Sequence, residues 1–320
     1  MHPPMPVVDL HQDIAYYLQT CMECRGLGED KPGRQSDLPK MEKGNVRIVF
    51  GAVFTGLPLL GGHDFSASPA LARYQVRLYR LLARRHEPVN LILGRRDLDV
   101  LEGPWRLGVL VSLEGAYPLA EPWELEDYYH LGVRAVGLTW NVGNRYAQGC
   151  CPRGGAPERD YGLTGDGLEL IGVANRLGVI VDVAHASRRA AVEAIEASSD
   201  PVILSHGAPG DGPRQSGHEV LQALADKGGV FGVTFIPKLY RDPSLDTIAD
   251  TIVSLIDAYG HRLPAIGSDF HGISSTPRGL ESVDKLPSLA RALLERGLSK
   301  GEVEAVMYGN ALRVLRQVLR

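Results

Sequence analysis

Eight short apolar runs, each followed by a longer amphipathic stretch, constrain the fold of this chain more than any other feature. They span residues 6–13, 47–56, 106–115, 133–141, 178–185, 200–206, 229–236 and 264–270, and they are rich in Val, Ile and Gly. Nearly continuous apolar runs of this length suit strands buried on both faces. The stretches between them carry apolar residues at helical spacing over 66–86, 166–177, 187–197, 219–227, 244–259, 287–296 and 299–318. Ser187 directly follows the fifth run and is a natural N-cap, and Gly228-Gly229 is a helix stop. Eight strands alternating with helices predict an α/β fold, a (β/α)8 TIM barrel, over the alternative of a doubly wound sheet. Eight such units use up the length, so residues 1–320 are read as a single barrel domain.

Most of the runs end in a residue able to bind a metal or move a proton. The first ends in His11-Gln12-Asp13, the third in Glu114, the fifth in His185, the sixth in His206 and the eighth in Asp269-Phe270-His271. In a barrel these ends converge on one face, where active sites sit. Residues i and i+2 of a strand share a side, so His11 and Asp13 can bind one ion together. Asp9 is expected to point the same way one layer deeper, either as an acceptor for the His11 ring or as a structural carboxylate. Three histidines and two carboxylates are too many for one open four-coordinate site and suit two ions sharing a carboxylate. Glu114, the only charge in VLVSLEGA, is the natural bridge. Imidazole and carboxylate without thiolate fit Zn²⁺, Mn²⁺, Fe²⁺ or Co²⁺ at a hydrolytic site. The other histidines (His2, His63, His86, His130, His218 and His261) fall in loops or helices and look unremarkable.

Other function classes lose support. With 34 basic and 38 acidic residues the net charge is −4 and no basic stripe is present, which argues against nucleic-acid binding. The longest charge-free apolar run, residues 48–62, has 15 residues with four Gly and a Pro, short of the roughly 20 a membrane span needs. The N-terminal MHPPMPVVDLHQD lacks the basic and apolar regions of a secretory signal, and the four cysteines are few for this length, so a cytoplasmic location is expected. Cys21, Cys24, Cys150 and Cys151 are read as ordinary loop thiols, with a disulfide or metal role as the alternative for Cys21-x-x-Cys24. No G-x-S-x-G elbow or phosphate-binding loop occurs, and the H-E pairs at 86–87 and 218–219 are not completed to H-E-x-x-H.

The segments VVDLHQD, VLVSLEG, RAVGLTWN, YGLTGDGLELIGVANRLGVIVDVAHAS, DPVILSHG, AIGSDFHGI, GLESVDKLP and YGNALRVL follow one another in order. On these motifs nearly the whole chain resembles the membrane dipeptidase (renal dipeptidase-like) family of zinc peptidases, built on barrels of the metal-dependent amidohydrolase type. The resemblance implies a binuclear dipeptidase, with two divalent ions, Zn²⁺ foremost and Mn²⁺ or Co²⁺ as alternatives. By the matching motifs His11 and Asp13 bind one ion, Glu114 bridges, and His185 and His206 bind the other. Asp269, the first Asp of the family's DFDG, inherits the role of proton carrier, and Arg214, the nearest Arg after ILSH, that of holding the substrate carboxylate.

Two departures stand out. The family's LTHN reads Leu138-Thr139-Trp140-Asn141 here, as in a bacterial LTWN-type branch. Trp140 offers only an indole N–H where the family has an imidazole, so altered substrate handling is expected at Trp140 and Asn141. DFDG reads Asp269-Phe270-His271-Gly272, and His271 is read as a substrate contact or loop residue. The mammalian lipid-anchor signal is not seen, so no membrane partner is expected, whereas a homodimer is a family-level expectation. The rival readings are a hydrolase of the same barrel acting on a lactam, an N-acyl amino acid or an ester, and a non-catalytic metal-containing binding protein.

Overall fold

The computed structural model describes residues 4–21, 26–59, 62–151 and 160–320. Each of the eight apolar runs forms a parallel strand. We number them β1 (Val7–Gln12), β2 (Val46–Val53), β3 (Leu107–Leu113), β4 (Val133–Gly137), β5 (Ile180–Asp182), β6 (Ile203–Pro209), β7 (Val230–Val233) and β8 (Pro264–Ile266). Each pairs with the next, and β8 returns to β1 through Asp9 opposite Ile266. This closure excludes an open doubly wound sheet. The strands are short and buried throughout, as their continuous apolar character requires.

Buried apolar side chains divide into two sets. Val8, Leu10, Ile48, Phe50, Leu110, Ala135, Ile180, Ile203, Val230 and Ala265 draw on all eight strands and form the barrel interior. The helix Asn310–Val318 adds Ala311, Leu312, Val314, Leu315 and Val318 to this set, plugging the end where the strands begin. Asn310 fixes the plug by donating from Nδ2 to the carbonyl of Pro264, 2.9 Å away, at the start of β8. Truncating Phe50, which is 1% exposed, would cost about 3–5 kcal/mol. The outward residues of the strands, Val49, Val109, Val111 and Val181 among them, pack against the surrounding helices.

Helices follow the strands where the periodicity placed them: Ser68–Arg85, Gly165–Leu177, Arg188–Ala197, His218–Asp226, Leu245–Tyr259 and Leu286–Glu295. Ser187 caps its helix, its Oγ accepting from Ala190 N at 3.1 Å. The single helix expected over 299–318 is broken by a π-helical turn, Ala305–Gly309. The helices Ile14–Thr20, Leu38–Lys43 and Leu125–Leu131 are too short to show a period and escape the sequence reading. Among the described residues, no helix is long and apolar enough to cross a membrane.

Candidate active site

The strand ends bring the polar residues to one rim, and irregular backbone aims them. Asp9 faces Val49 and Gln12 faces Gly51, so three steps along β1 match two along β2. A second irregularity, between Phe231 opposite Leu204 and Val233 opposite Gly207, falls on the part of β6 that holds His206. Such bulges redirect side chains beside functional sites. His185 and Asp269 lie just past β5 and β8 in the left-handed region, each with φ of 64°, a conformation that costs a non-glycine residue about 1–3 kcal/mol. Glu114 leaves β3 directly into Gly115 at φ 88°.

All six expected groups converge. His11 Nε2 lies 3.4 Å from Asp13 Oδ2, 3.7 Å from Asp269 Oδ1 and 3.8 Å from Glu114 Oε2. The other oxygen of Glu114, Oε1, lies 3.1 Å from His185 Nε2 and 3.8 Å from His206 Nε2. Glu114 thus presents one oxygen to each half of the cluster. Two groups have ligand atoms close enough to share an ion: His11, Glu114 and His206, and His11, Asp13 and Asp269. Asp269 therefore stands within ligand range of His11 and Asp13.

Outer contacts orient the imidazoles. Asn141 Oδ1 lies 2.8 Å from His185 Nδ1, and Ser205 Oγ lies 2.9 Å from His206 Nδ1. Each contact turns the opposite nitrogen, Nε2, toward Glu114, the usual means of presenting a ligand histidine. Asn141, expected at the substrate, therefore also holds a candidate ligand. Asp9 does not hold one. It accepts from His11 N, Gln12 Nε2 and both the N–H and hydroxyl of Ser268, and so ties β1 to the end of β8. Because of the bulge in β1, strict alternation does not carry Asp9 to the His11 ring, and the structural alternative is the one realised.

The electrostatics of the cluster call for a cation. Burial and the neighbouring Asp13 charge push Asp269 up to about 8, and the same two causes raise Glu114 well above the usual carboxylate range. Burial opposes a charge on His11, yet Glu114, Asp13 and Asp269 outweigh it and drive His11 up to about 10. Burial and the Arg214 charge keep His206 and His185 far below their ordinary value, hence neutral as ligands must be. His11 Nε2 is buried without a hydrogen-bond partner amid these carboxylates. A nitrogen and oxygen donor set of this kind fits divalent metal ions. Gly272 is needed beside it, because a Cβ there would fall on the carboxylate oxygens of Asp13 and Asp269.

The cluster floors a cavity of about 420 Å³. Arg214 lines it, with Nη2 3.1 Å from His185 Nε2 and 3.3 Å from the carbonyl of His206. Trp140 lines it too, its ring 5.7 Å from that of His185. His271 is turned away: its ring stacks on Tyr17 at 4.0 Å, its Nε2 lies 2.8 Å from the carbonyl of Ser36, and its backbone N–H donates to Gln35. It lines a neighbouring recess with Arg34 and Tyr17 instead. Cys21 is disulfide-bonded, the alternative to the ordinary loop thiol, and Cys24 lies outside the described residues. Sequence reasoning missed the cavity walls formed by Tyr16, Phe54, His63, Ile236 and Lys238. His63, passed over as unremarkable, meets Trp140 edge-on at 4.8 Å. Phe54 directly follows β2 and the strand-end rule would have found it, whereas nothing in the sequence marks His63.

Comparison with known proteins agrees with this arrangement. A profile of the membrane dipeptidase family (peptidase family M19) matches residues 1–320. The chain is 31% identical to Dipeptidase verJ of Clonostachys rogersoniana over 335 residues, 98% of this chain and 84% of that protein. It shares its fold with the probable dipeptidase PvdM from Pseudomonas aeruginosa (TM-score 0.88, 21% identity, 98% of this chain and 95% of that one). It also shares it with a metallo peptidase from Rhodobacter sphaeroides bound to a phosphinate mimic of the dipeptide L-Ala-D-Ala (TM-score 0.87, 20% identity, 98% and 99%). With its closed barrel and its rim of histidines and carboxylates, the chain belongs to the membrane dipeptidase family, peptidase family M19, a family of metallo-dipeptidases.

Proposed function

We propose that the chain hydrolyses dipeptides at two divalent ions, Zn²⁺ foremost, with Mn²⁺ and Co²⁺ as the alternatives. The observation that carries this reading is Glu114, which offers one oxygen to His11 and the other to His185 and His206. In this reading His11 and Asp13 hold one ion, His185 and His206 the other, and Glu114 both. The chemistry such a pair supplies when bound is a water acidified to near neutral pH, ready to attack a carbonyl.

The remaining work falls to side chains. Asp269 accepts the proton of the attacking water on a carboxylate oxygen and hands it to the leaving amine, a role that suits its place on the cavity wall beside the ligand cluster, with Oδ1 3.7 Å from His11 Nε2. Arg214 grips the free carboxylate of the dipeptide with its guanidinium fork. Arg214 Nη2 meets His185 Nε2 and the carbonyl of His206, and no carboxylate pairs with Arg214 among the described residues, so its positive charge is not neutralised before substrate arrives. Trp140, Phe54 and His63 pack against one another and form a wall that keeps water from one side of the cavity. A cavity of this size holds a dipeptide, and recognition of both its carboxyl end and its free amine would disfavour longer chains.

The test is a dipeptide panel with L-L, L-D and D-D members, run with Zn²⁺, Mn²⁺ and Co²⁺, beside the Asp269→Asn variant. Hydrolysis by the native chain is expected, with Asp269→Asn losing turnover by about 10²-fold or more while keeping its metal. Turnover of lactams, N-acyl amino acids or esters in place of dipeptides would overturn the substrate assignment. Metal lost from Asp269→Asn would make Asp269 a ligand instead of a proton carrier.

A further inference from the structure

The site holds two nucleophiles that hydrolysis does not use. Cys150 and Cys151 are both free, and their sulfurs lie 3.0 Å apart. Cys151 lines the catalytic cavity, within reach of small solutes that enter it. Cys150 Sγ lies 3.5 Å from Asn141 Oδ1, the same oxygen that holds His185 Nδ1 at 2.8 Å. The backbone ties the pair to both neighbours: Cys150 N–H donates to the carbonyl of His185 at 2.7 Å, and Cys151 N–H to that of Asn141 at 2.8 Å. The dithiol is therefore stapled between a candidate metal ligand and the residue that orients it.

We infer that Cys150 and Cys151 form a modification site for hydroperoxides, closed to a disulfide by oxidation, and that closure slows the enzyme. The inference rests on the hydrolytic reading only for its activity readout. In the first step the Cys151 sulfur attacks one peroxide oxygen. An S–O bond forms, the O–O bond breaks, and one water leaves. In the second step the Cys150 sulfur attacks the Cys151 sulfenic acid. An S–S bond forms, the S–O bond breaks, and the departing hydroxyl takes the Cys150 thiol proton and leaves as a second water, the Cys151 proton having left with the first. The sum is two thiols and one hydrogen peroxide giving one disulfide and two waters, the sulfurs losing two electrons and the peroxide gaining them.

Closure acts on the site in two ways. It removes the S–H that faces Asn141 Oδ1, and it draws the two sulfurs together by about 1 Å, to the length of a covalent bond. Both changes fall on the segment that carries Asn141 and is tied to His185. Adjacent residues have Cα atoms about 3.8 Å apart, closer than the roughly 4.4–6.8 Å of an unstrained bridge. A strained disulfide is easily reduced, so the modification is reversible.

The experiment uses the full, metal-loaded chain and hydrogen peroxide, with intact mass, non-reduced peptide mapping and dipeptide turnover as readouts. A loss of two hydrogens mapped to Cys150–Cys151 is expected, with turnover falling about tenfold, the lower end of what disturbing a ligand's outer partner costs. Addition of a phosphine reductant should restore both. Cys151→Ser and Cys151→Ala, each compared with itself before and after peroxide, should show neither change, and both keep the disulfide at Cys21 as an internal control. No linkage at Cys150–Cys151, or linkage with unaltered turnover, overturns the inference. The mass readout stands even if the chain cleaves no dipeptide, so a failure of the substrate assignment is told apart from a failure here.

Discussion

Replacing Asn141 by Ala should weaken one metal ion and spare the other. His185 is buried and held at φ 64°, with its Nδ1 2.8 Å from Asn141 Oδ1. That contact selects the tautomer with the proton on Nδ1 and leaves the Nε2 lone pair facing Glu114 Oε1, 3.1 Å away. Without the amide, the neutral ring is free to place its proton on either nitrogen and to rotate. Loss of such an outer partner costs about 10–100-fold in metal affinity, or about 1.4–2.7 kcal/mol. The effect is local, because neither His11 nor Asp13 is hydrogen-bonded to Asn141. Chelator competition followed by metal analysis checks it. One ion should be released at about tenfold lower chelator concentration or less, and the other at the concentration found for the native chain. Asn141→Asp, which keeps an acceptor oxygen, should retain the tighter binding. Release of both ions as in the native chain would refute the orienting role, and parallel weakening of both would refute the division of ligands between two sites.

Three further outcomes follow from the same geometry. Gly272→Ala places a Cβ on the carboxylate oxygens of Asp13 and Asp269 and should cost about tenfold or more in metal affinity, whereas Gly301→Ala, which meets open space in a helix, should leave it unchanged. In the metal-free chain, Asp269 and His11 keep protons up to about 8 and about 10 that the unfolded chain gives up earlier, while His185 and His206 are neutral in both states above pH of about 6.5. Proton linkage then makes metal-free stability fall as pH rises from about 6.5 to 8, and a melting temperature that holds steady or climbs over that window would contradict it. Arg214→Lys keeps the charge and loses the fork, so KM should rise about tenfold with less change in kcat, and a dipeptide amide should show no such difference between the two proteins.

The candidate ligands were legible because strand ends are fixed by local pattern. An apolar run that stops at His11 or Glu114 must deliver that residue to the rim once the barrel closes, whatever the loops do, whereas His206 lies inside β6, which runs on to Pro209. The aim of individual side chains was not, because it depends on events that leave no period in the sequence. The bulge that separates Asp9 from the His11 ring appears only in the pairing of β1 with β2. Which of the two readings of His271 holds could not be decided from the sequence for the same reason: its direction is set by φ of 71° and by Gln35 and Ser36, more than 230 positions away in the chain. The walls follow suit, since His63 reaches Trp140 from the far side of β3 and no spacing rule connects the two. In a barrel enzyme the reacting centre is therefore read from where strands stop, while selectivity belongs to contacts between loops. That division makes Trp140 informative: it is set against Phe54 and His63 in the cavity wall, apart from the candidate ligands, so on the proposed reading a change there should alter which side chains the cavity admits and leave metal content unchanged.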